Sequence, residues 1–480
     1  MKTSRFEFLK GMAISAGAGI ASGCAGLSSV ASATEGASMR NFRSAPMKNG
    51  IRVGVVGIGA RGNAAVGRLM MVPGVTVTAV CDIRAEYAEK GAKAVQDRTG
   101  ERPLVFSGTD EAYKGLCDSS KVDVVYNATS WNAHVPVAVS AMKAGKHALI
   151  EVPSALFVEE CWELVETAER CRVHCLQLEN CCYGEEELLA LNLCKLGMLG
   201  ELLHGEGGYI HDRRWQIFND AQWERWRNHW NEKHAGNYYS THGLGPICMD
   251  MGINRGDRLD YLVSVDSHQA GYEAFARATL AADNPLRHER FAMADMNVTT
   301  IRTAKGRTIL LQHDVSSPRP YSRLNLISGT KGTFRSYPRL GIYIEGRDEW
   351  QTAPGHHEYD DKVAAEIRAK YAHPLVRQVG EIAKKVGGHG GMDYLMDLRW
   401  AYCLQQGLPM DTDVYDLASW CAVSELTERS ARNRSQAMDI PDFTRGAWKT
   451  PCESNLMNAS VDLSKLDFRT VERAAGQLSV

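Results

Sequence analysis

Hydrophobic positions in the first half of the chain follow two alternating rhythms. Short apolar, β-branched runs recur at Ile51–Val56, Val75–Val80, Val122–Ala128, His147–Ile150 and Cys175–Leu178, with a shorter one at Leu104–Phe106. Runs of this kind suit strands buried on both faces of a parallel sheet. Between them apolar residues return every three or four positions, predicting helices over Asn63–Met71, Ala85–Thr99, Asp110–Leu116, His134–Ala144 and Glu159–Arg172. Such alternation predicts an α/β, doubly wound parallel sheet with ligands at the carboxyl ends of its strands. From about residue 183 the rhythm changes. One helix, Glu185–Leu196, is followed by extended segments at Leu202–His211, Ala292–Thr303, Thr308–Val315, Leu324–Ser328, Gly332–Ser336 and Gly341–Glu345, and then by helices over Tyr394–Gly407 and Asp413–Asn433. Strands with few crossover helices predict a second, α+β domain on an open antiparallel or mixed sheet. The expected division is a leader and linker over 1–46, a Rossmann domain over 47–182, the α+β domain over 183–445 and a C-terminal extension over 446–480.

The first strand runs directly into Gly57-x-Gly59-x-x-Gly62 and then a helix, the context that a dinucleotide-binding fingerprint requires. Gly57 allows the tight turn, Gly59 lets the backbone approach a pyrophosphate, and Gly62 lets the helix pack on the strand. The phosphates then face free N–H groups at the helix start. The second strand ends at Asp82, whose carboxylate can accept both ribose hydroxyls and would repel a 2′-phosphate. The cofactor expected is NAD rather than NADP.

Composition narrows the field. Lys+Arg 55 against Asp+Glu 57 gives a net charge of −2 and no basic field for nucleic acid, and the 44% apolar content is that of a globular protein. No run approaches a transmembrane helix. The N-terminus, MKTSRFEFLKGMAISAGAGIASGCAG, has a basic start, a weakly apolar middle and small residues before Cys24, which reads as an export signal. Ser4 to Lys10 resembles a twin-arginine signal with Phe6 in place of the second arginine. Ala21 to Cys24 resembles a lipoprotein cleavage site, so a lipid anchor at Cys24 and an exported, periplasmic or membrane-anchored protein are expected. Most of the thirteen cysteines sit in apolar periodic segments (Cys161, Cys171, Cys175, Cys194), and no CxxC pair occurs. Buried thiols are expected rather than disulfides or a zinc site, as in a protein exported already folded.

The segment 209–246 is dense in polar aromatics and histidines: Tyr209, His211, Trp215, Trp223, Trp226, Arg227, Trp230, Tyr238, Tyr239 and His242. Aromatic faces stack on the C–H faces of sugars while Arg, His and Tyr bind hydroxyls, so a carbohydrate site is one reading. Packing between domains is the other, less so for Tyr209, His211, Tyr239 and His242, whose polar tips need partners if buried.

The fingerprint GIGARG and the segment AGKHALIEVP, together with the predicted mixed-sheet domain, resemble the glucose-fructose oxidoreductase/inositol dehydrogenase (Gfo/Idh/MocA) superfamily. That superfamily usually has Glu-Lys-Pro where this chain has Glu151-Val152-Pro153, and its lysine commonly assists proton transfer at the substrate hydroxyl. The departure argues against an ordinary sugar dehydrogenase. Trp131-Asn132-Ala133-His134, the EVP triplet, Glu179–Tyr183, HGEGGYIHD (204–212), HWNEK (229–233), Tyr239–Pro246 and INRGDR (253–258) resemble glycoside hydrolase family 109, NAD-dependent α-N-acetylgalactosaminidases.

The resemblance implies a cofactor set of Gly57, Gly59, Arg61, Gly62, Asp82, Trp131, Asn132, His134, Glu151, Val152 and Asn180. It implies a substrate set of Tyr209, His211, Arg227, Tyr239, Ser240, Thr241, His242 and Tyr321, with His242, Tyr239 and Tyr209 as the catalytic candidates and no metal. The implied chemistry departs from the two-carboxylate scheme. Hydride leaves sugar C3, the C2 proton is removed, the C1 leaving group is eliminated, water adds back, and the hydride returns. The expected substrate is a glycan ending in N-acetylgalactosamine, and a homo-oligomer is expected. Two rivals stay open at this point: an NAD-dependent sugar or polyol dehydrogenase, and a non-catalytic NAD-bound sugar-binding protein.

Overall fold

A computed structural model of the chain describes residues 38–218, 225–346 and 356–466, and two sheets organise them. The first has six parallel strands in the order β3-β2-β1-β4-β5-β6: β1 Ile51–Val56, β2 Val75–Asp82, β3 Leu104–Ser107, β4 Val124–Asn127, β5 His147–Ile150 and β6 Cys175–Gln177. Helices Ala60–Leu69, Ala85–Thr99, Tyr113–Asp118, Trp131–Lys143 and Val158–Cys171 connect them. Strand order reverses between β1 and β4, so the loops leaving these two strands diverge and open a crevice, the usual seat of a dinucleotide.

The second sheet has eight strands in the order β13-β12-β11-β7-β10-β9-β8-β14. They are β7 Leu202–Ile210, β8 Leu259–Asp266, β9 Asn297–Thr303, β10 Thr308–Asp314, β11 Leu326–Gly329, β12 Gly332–Arg335, β13 Gly341–Ile344 and β14 Met438–Asp439. Strands β7 and β10 pair in parallel and the remaining pairs are antiparallel, a mixed sheet as expected. Alternation along β9, where Asn297, Thr299, Ile301 and Thr303 are buried and the residues between them are not, shows one face turned to the core. Helix Thr241–Met251 lies on that face against β7. At the crossing, a Cβ on Gly243 would fall 2.2 Å from the Gly208 nitrogen and one on Gly207 would fall 2.2 Å from the Gly243 oxygen. Only glycines permit this approach, and it brings the start of that helix, with His242, beside the end of β7, with Tyr209.

Helices Thr241–Met251, Gly271–Thr279, Asp361–Tyr371 and Pro374–Val386 and strand β8 lie outside the elements predicted from pattern. Helix Thr241–Met251 is buried at nearly every position, so it has no polar stripe from which to read a period. Residues 38–46 fall within the stretch read as a linker, yet they lie along the body of the protein. Met39 is buried, and Arg40 donates to the Ala447 and Thr450 carbonyls. Cys161 and Cys175 are buried, unbridged thiols, as are Cys181, Cys182 and Cys421, whereas Cys171 and Cys194 are only half-buried. No helix of the described residues is long and apolar enough to cross a membrane. The signal-like segment with Cys24, and Trp223, lie outside the described residues.

Candidate active site

The two domains meet over a cleft of about 450 Å³. Its Rossmann wall is built from strand ends and the helix starts that follow them: Ala60 and Arg61 after β1, Ala128, Thr129 and Trp131 after β4, Glu151 and Val152 after β5, and Asn180 after β6. The opposite wall is Tyr209, His211, Arg213, Arg227, Tyr239, His242 and Tyr321. Strand-end placement follows from the parallel topology, since every strand delivers its last residue to the same edge.

On the cofactor side, Gly57 adopts φ +86°, which turns the chain back under the helix start, and Gly59 is the extended N-cap of Ala60–Leu69 with no side-chain cap. The first N–H groups of that helix therefore have no side-chain partner at the cap, as a phosphate cradle requires. Asp82 is buried at the end of β2; its Oδ2 accepts the Ile58 N–H at 2.7 Å and its Oδ1 the Arg84 N–H at 2.9 Å. Each oxygen keeps a further lone pair for a ribose hydroxyl. These residues fit a dinucleotide.

Three of the sequence-expected cofactor residues act through neighbours. Arg61 spans the crevice: Nε binds Glu151 Oε1 at 2.6 Å and Nη1 binds Asp393 Oδ2 at 2.7 Å. Burial lowers its pKa, yet the Glu151 and Asp393 carboxylates prevail and hold it well above the ordinary value. His134 is buried, with Nδ1 2.8 Å from the Pro153 carbonyl and Nε2 3.1 Å from that of Thr129; burial pushes its pKa down, and the neutral ring, with its single N–H, donates to one of these carbonyls. The Trp131 indole donates to the Val152 carbonyl at 3.2 Å. Asn180 lines the cleft and donates to Asp393 at 2.6 Å, whereas Asn132 is exposed on the first turn of its helix, bonded to Ser130 and away from the cleft lining.

On the substrate side, the Tyr209 and Tyr239 rings lie 4.5 Å apart between centroids, with the His242 ring 5.5 Å from the first and 4.9 Å from the second. The Tyr209 hydroxyl meets His211 Nδ1 at 2.9 Å and accepts from Arg213 at 3.2 Å. The Arg227 guanidinium lies 5.3 Å from both the Tyr239 and the Trp131 ring centroids. Burial pushes the Tyr239 phenol up, so it stays protonated and able to donate. Tyr321 is 43% exposed at the mouth, and its hydroxyl accepts from Arg323 at 3.0 Å. Ser240 and Thr241 are buried away from the cleft; Ser240 bonds the Trp420 carbonyl. The tetrad Tyr239–His242 thus presents its two ends to the cleft and its middle to the protein.

Glu179 was not among the sequence-expected site residues, yet it is central. It is 1% exposed, and its Oε1 lies 2.6 Å from His242 Nδ1. Burial pushes this carboxyl up, but the His242 ring and its hydrogen bonds prevail and hold it below the usual carboxylate range. An ionised Glu179 accepts from Nδ1–H, which leaves the lone pair of His242 on Nε2. The Cys181 sulfur completes a compact group with these two, and burial pushes that thiol well up. The signal that points to Glu179 is its place just beyond β6. Asp393 and Arg213 were missed as well; Asp393 arrives from helix Met392–Gln406, more than 200 residues from the Asn180 it binds, with no local signal.

The loop that carries Tyr239 hangs on Glu428, which accepts the Ala235 N–H at 3.1 Å and the Tyr238 hydroxyl at 2.5 Å and lies 3.0 Å from His234 Nδ1. Burial raises the Glu428 carboxyl, but the hydrogen bonds from His234 and Tyr238 outweigh it and lower the carboxyl to about 2. A depressed folded-state value means the stabilisation is whole above the ordinary 4.5 and is lost as pH falls from there through about 2. Glu428→Gln should therefore remove part of the acid-induced change in Trp226 and Trp230 fluorescence over that window. An unchanged acid transition would exclude Glu428 as the anchor.

Residues 51–177 match the family model described as the oxidoreductase family, NAD-binding Rossmann fold, and residues 183–450 match that of the glycosyl hydrolase 109 C-terminal domain. Levoglucosan dehydrogenase, solved with NADH and levoglucosan, superposes with a TM-score of 0.60 at 17% identity over 82% of this chain and 100% of its own. The WlbA dehydrogenase from Bordetella pertussis, solved with NADH and UDP-GlcNAcA, gives 0.58 at 18% identity over 83% of this chain and 99% of its own. The matched N-terminal family model gives the chain an NAD-binding domain of the Gfo/Idh/MocA class, and these structures share its fold. A glycosyl hydrolase family 109 protein of Shewanella pealeana is 42% identical over 94% of this chain and 98% of its own length. One from Shewanella sp. (strain MR-4) is 44% identical over 84% and 87%. With these relatives and the matched C-terminal domain, the chain belongs to glycoside hydrolase family 109.

Proposed function

We propose that this protein cleaves terminal, α-linked N-acetylgalactosamine from glycans by an NAD-dependent route with no net redox change. The observation that carries the reading is the convergence of Tyr209, Tyr239 and a carboxylate-backed His242 on a cleft whose cofactor wall presents Val152 at the place of the usual lysine. NAD⁺ held in the crevice would accept the hydride of sugar C3 as the O3–H proton leaves to water, and would return the hydride to C3 as O3 takes a proton back. A C3 ketone acidifies the C2 hydrogen, and His242, with its lone pair on Nε2, is the group built to take that proton. The C2–H electrons form the C1–C2 double bond as the C1–O bond breaks, and the departing aglycone takes a proton. Water then adds at C1 and a proton returns to C2. The Tyr239 hydroxyl, kept protonated by burial, donates to a sugar oxygen; the Tyr209 hydroxyl, held by His211 and Arg213, fixes a second. Arg227 and Tyr321 bound the sugar on either side of this pair.

The same reading extends to an exported protein with a lipid at Cys24 and a homo-oligomeric assembly. Buried, unbridged thiols support export of a folded chain.

The route breaks a bond that direct displacement leaves intact. Hydrolysis in deuterated water should place deuterium at C2 of the released sugar, and a 3-O-methyl glycoside should resist cleavage. Cleavage of that glycoside at the parent rate would reject the route. Net NADH formation with free sugar would instead favour the dehydrogenase reading.

A further inference from the structure

A second hollow of about 460 Å³ opens beside the cleft. His389 and Met392 line both spaces, so the two meet at one shared edge. Their aromatic walls meet as well: Tyr321 in the cleft stands edge-on to Tyr337 in the groove, with ring centroids 6.1 Å apart. Arg323 joins them from below. Its guanidinium donates to the Tyr321 hydroxyl, lies 5.5 Å from the Tyr337 ring centroid and is anchored on buried Glu187 at 2.5 Å.

We propose that this groove receives the sugar on the leaving-group side of the glycosidic bond. The inference rests on the glycosidase reading, which places the terminal residue between Tyr209, Tyr239 and His242 and leaves its C1 substituent to pass out of the cleft. Next to Tyr321, across its contact with Tyr337, lies a space with the chemistry of a saccharide site. Tyr337 offers a ring face, while Glu186, Ser336 and Arg339 offer hydroxyl partners. The formal charges of the walls have counter-charges beside them, Arg323 with Glu187 within the groove, Arg339 with Asp361 and both Glu185 and Glu186 with Arg368 just outside it. A groove so neutralised gives no field for an acidic or basic aglycone, and a neutral hexose suits it better than a charged peptide.

The test compares two substrates, an aryl α-N-acetylgalactosaminide and a saccharide in which the same residue is α-linked to galactose. In Tyr337→Ala and in Arg339→Ala, kcat/KM for the saccharide should fall by about fivefold to tenfold through KM, with the aryl glycoside changed by less than about twofold. Tyr337→Phe keeps the ring face and should stay near wild type. Arg339 is exposed, so its variant reads the groove without a folding penalty. An unchanged substrate ratio in both alanine variants would overturn the proposal, as would the same loss on a peptide-linked substrate in place of the saccharide. Wild-type protein that cleaves neither glycoside would refute the glycosidase reading separately. The groove is then read by ligand-observed NMR with the intact saccharide, and binding that is equal in wild type and both alanine variants would refute it.

Discussion

Replacing His242 by asparagine should lower kcat by about 10²–10⁴-fold while leaving bound NAD and thermal stability close to wild type. Asparagine is the informative substitution because its amide N–H₂ sits near the position of Nδ1. It can still donate to Glu179, which lies 2.6 Å from that nitrogen, but has no lone pair at the position of Nε2. Alanine should abolish turnover to the same degree and also lower stability. It leaves a carboxylate that is 1% exposed without its ring partner, and an unpaired buried charge is costly. Glu179→Gln separates the partner from the base. The amide either accepts from Nδ1–H, keeping the tautomer, or donates to Nδ1 and moves the proton to Nε2, where the base is lost. Turnover should fall while NAD content is kept. Near-wild-type turnover in His242→Asn would return the histidine to a hydrogen-bonding role and leave the C2 proton without its base.

The Rossmann half was legible because its signals are local. Gly57, Gly59, Gly62 and Asp82 fall within one strand-turn-helix-strand unit, and the strand ends that build the cofactor wall follow from the alternation of patterns. The substrate wall was legible as a motif but not as geometry. Tyr239–His242 reads as one block of four, yet the helix that begins at Thr241 turns only the outer two side chains to the cleft. A helix buried on all sides carries no period, so nothing in its pattern separates the inward residues from the outward ones. The long-range pairs were out of reach for a further reason. Arg61 with Asp393, Glu187 with Arg323 and Glu428 with Tyr238 are charge or hydroxyl partners between distant elements. Sequence shows each group, but only the fold determines which charges meet. The GHGGM segment before helix Met392–Gln406 is an example: its glycines carried no motif weight, yet His389 and Met392 form the edge shared by cleft and groove.

Gly62→Ala should empty the protein of NAD and lower its melting temperature, whereas Gly67→Ala on the same helix should do neither. A Cβ on Gly62 would stand 1.7 Å from the Gly57 carbonyl oxygen and 2.8 Å from its carbon. Both obstacles are backbone in the turn that the cofactor must approach, so no rotamer change relieves them. Helix Ala60–Leu69 would have to retreat from β1 by more than an ångström. It is not free to do so alone, because Arg68 is buried on Asp397 at 2.6 Å and Arg61 is tied to Glu151 and Asp393. Retreat therefore breaks these pairs or distorts the turn, and overpacking of this kind typically costs about 1–3 kcal/mol or more. Gly67 has no atom within 4 Å of an added Cβ. Alanine there should stabilise the helix by about 0.5–1 kcal/mol through its better propensity. The measurements are dinucleotide released on denaturation and the thermal midpoint of each variant. A Gly62→Ala protein that holds NAD at the wild-type level would mean that the cofactor lies elsewhere than on this turn.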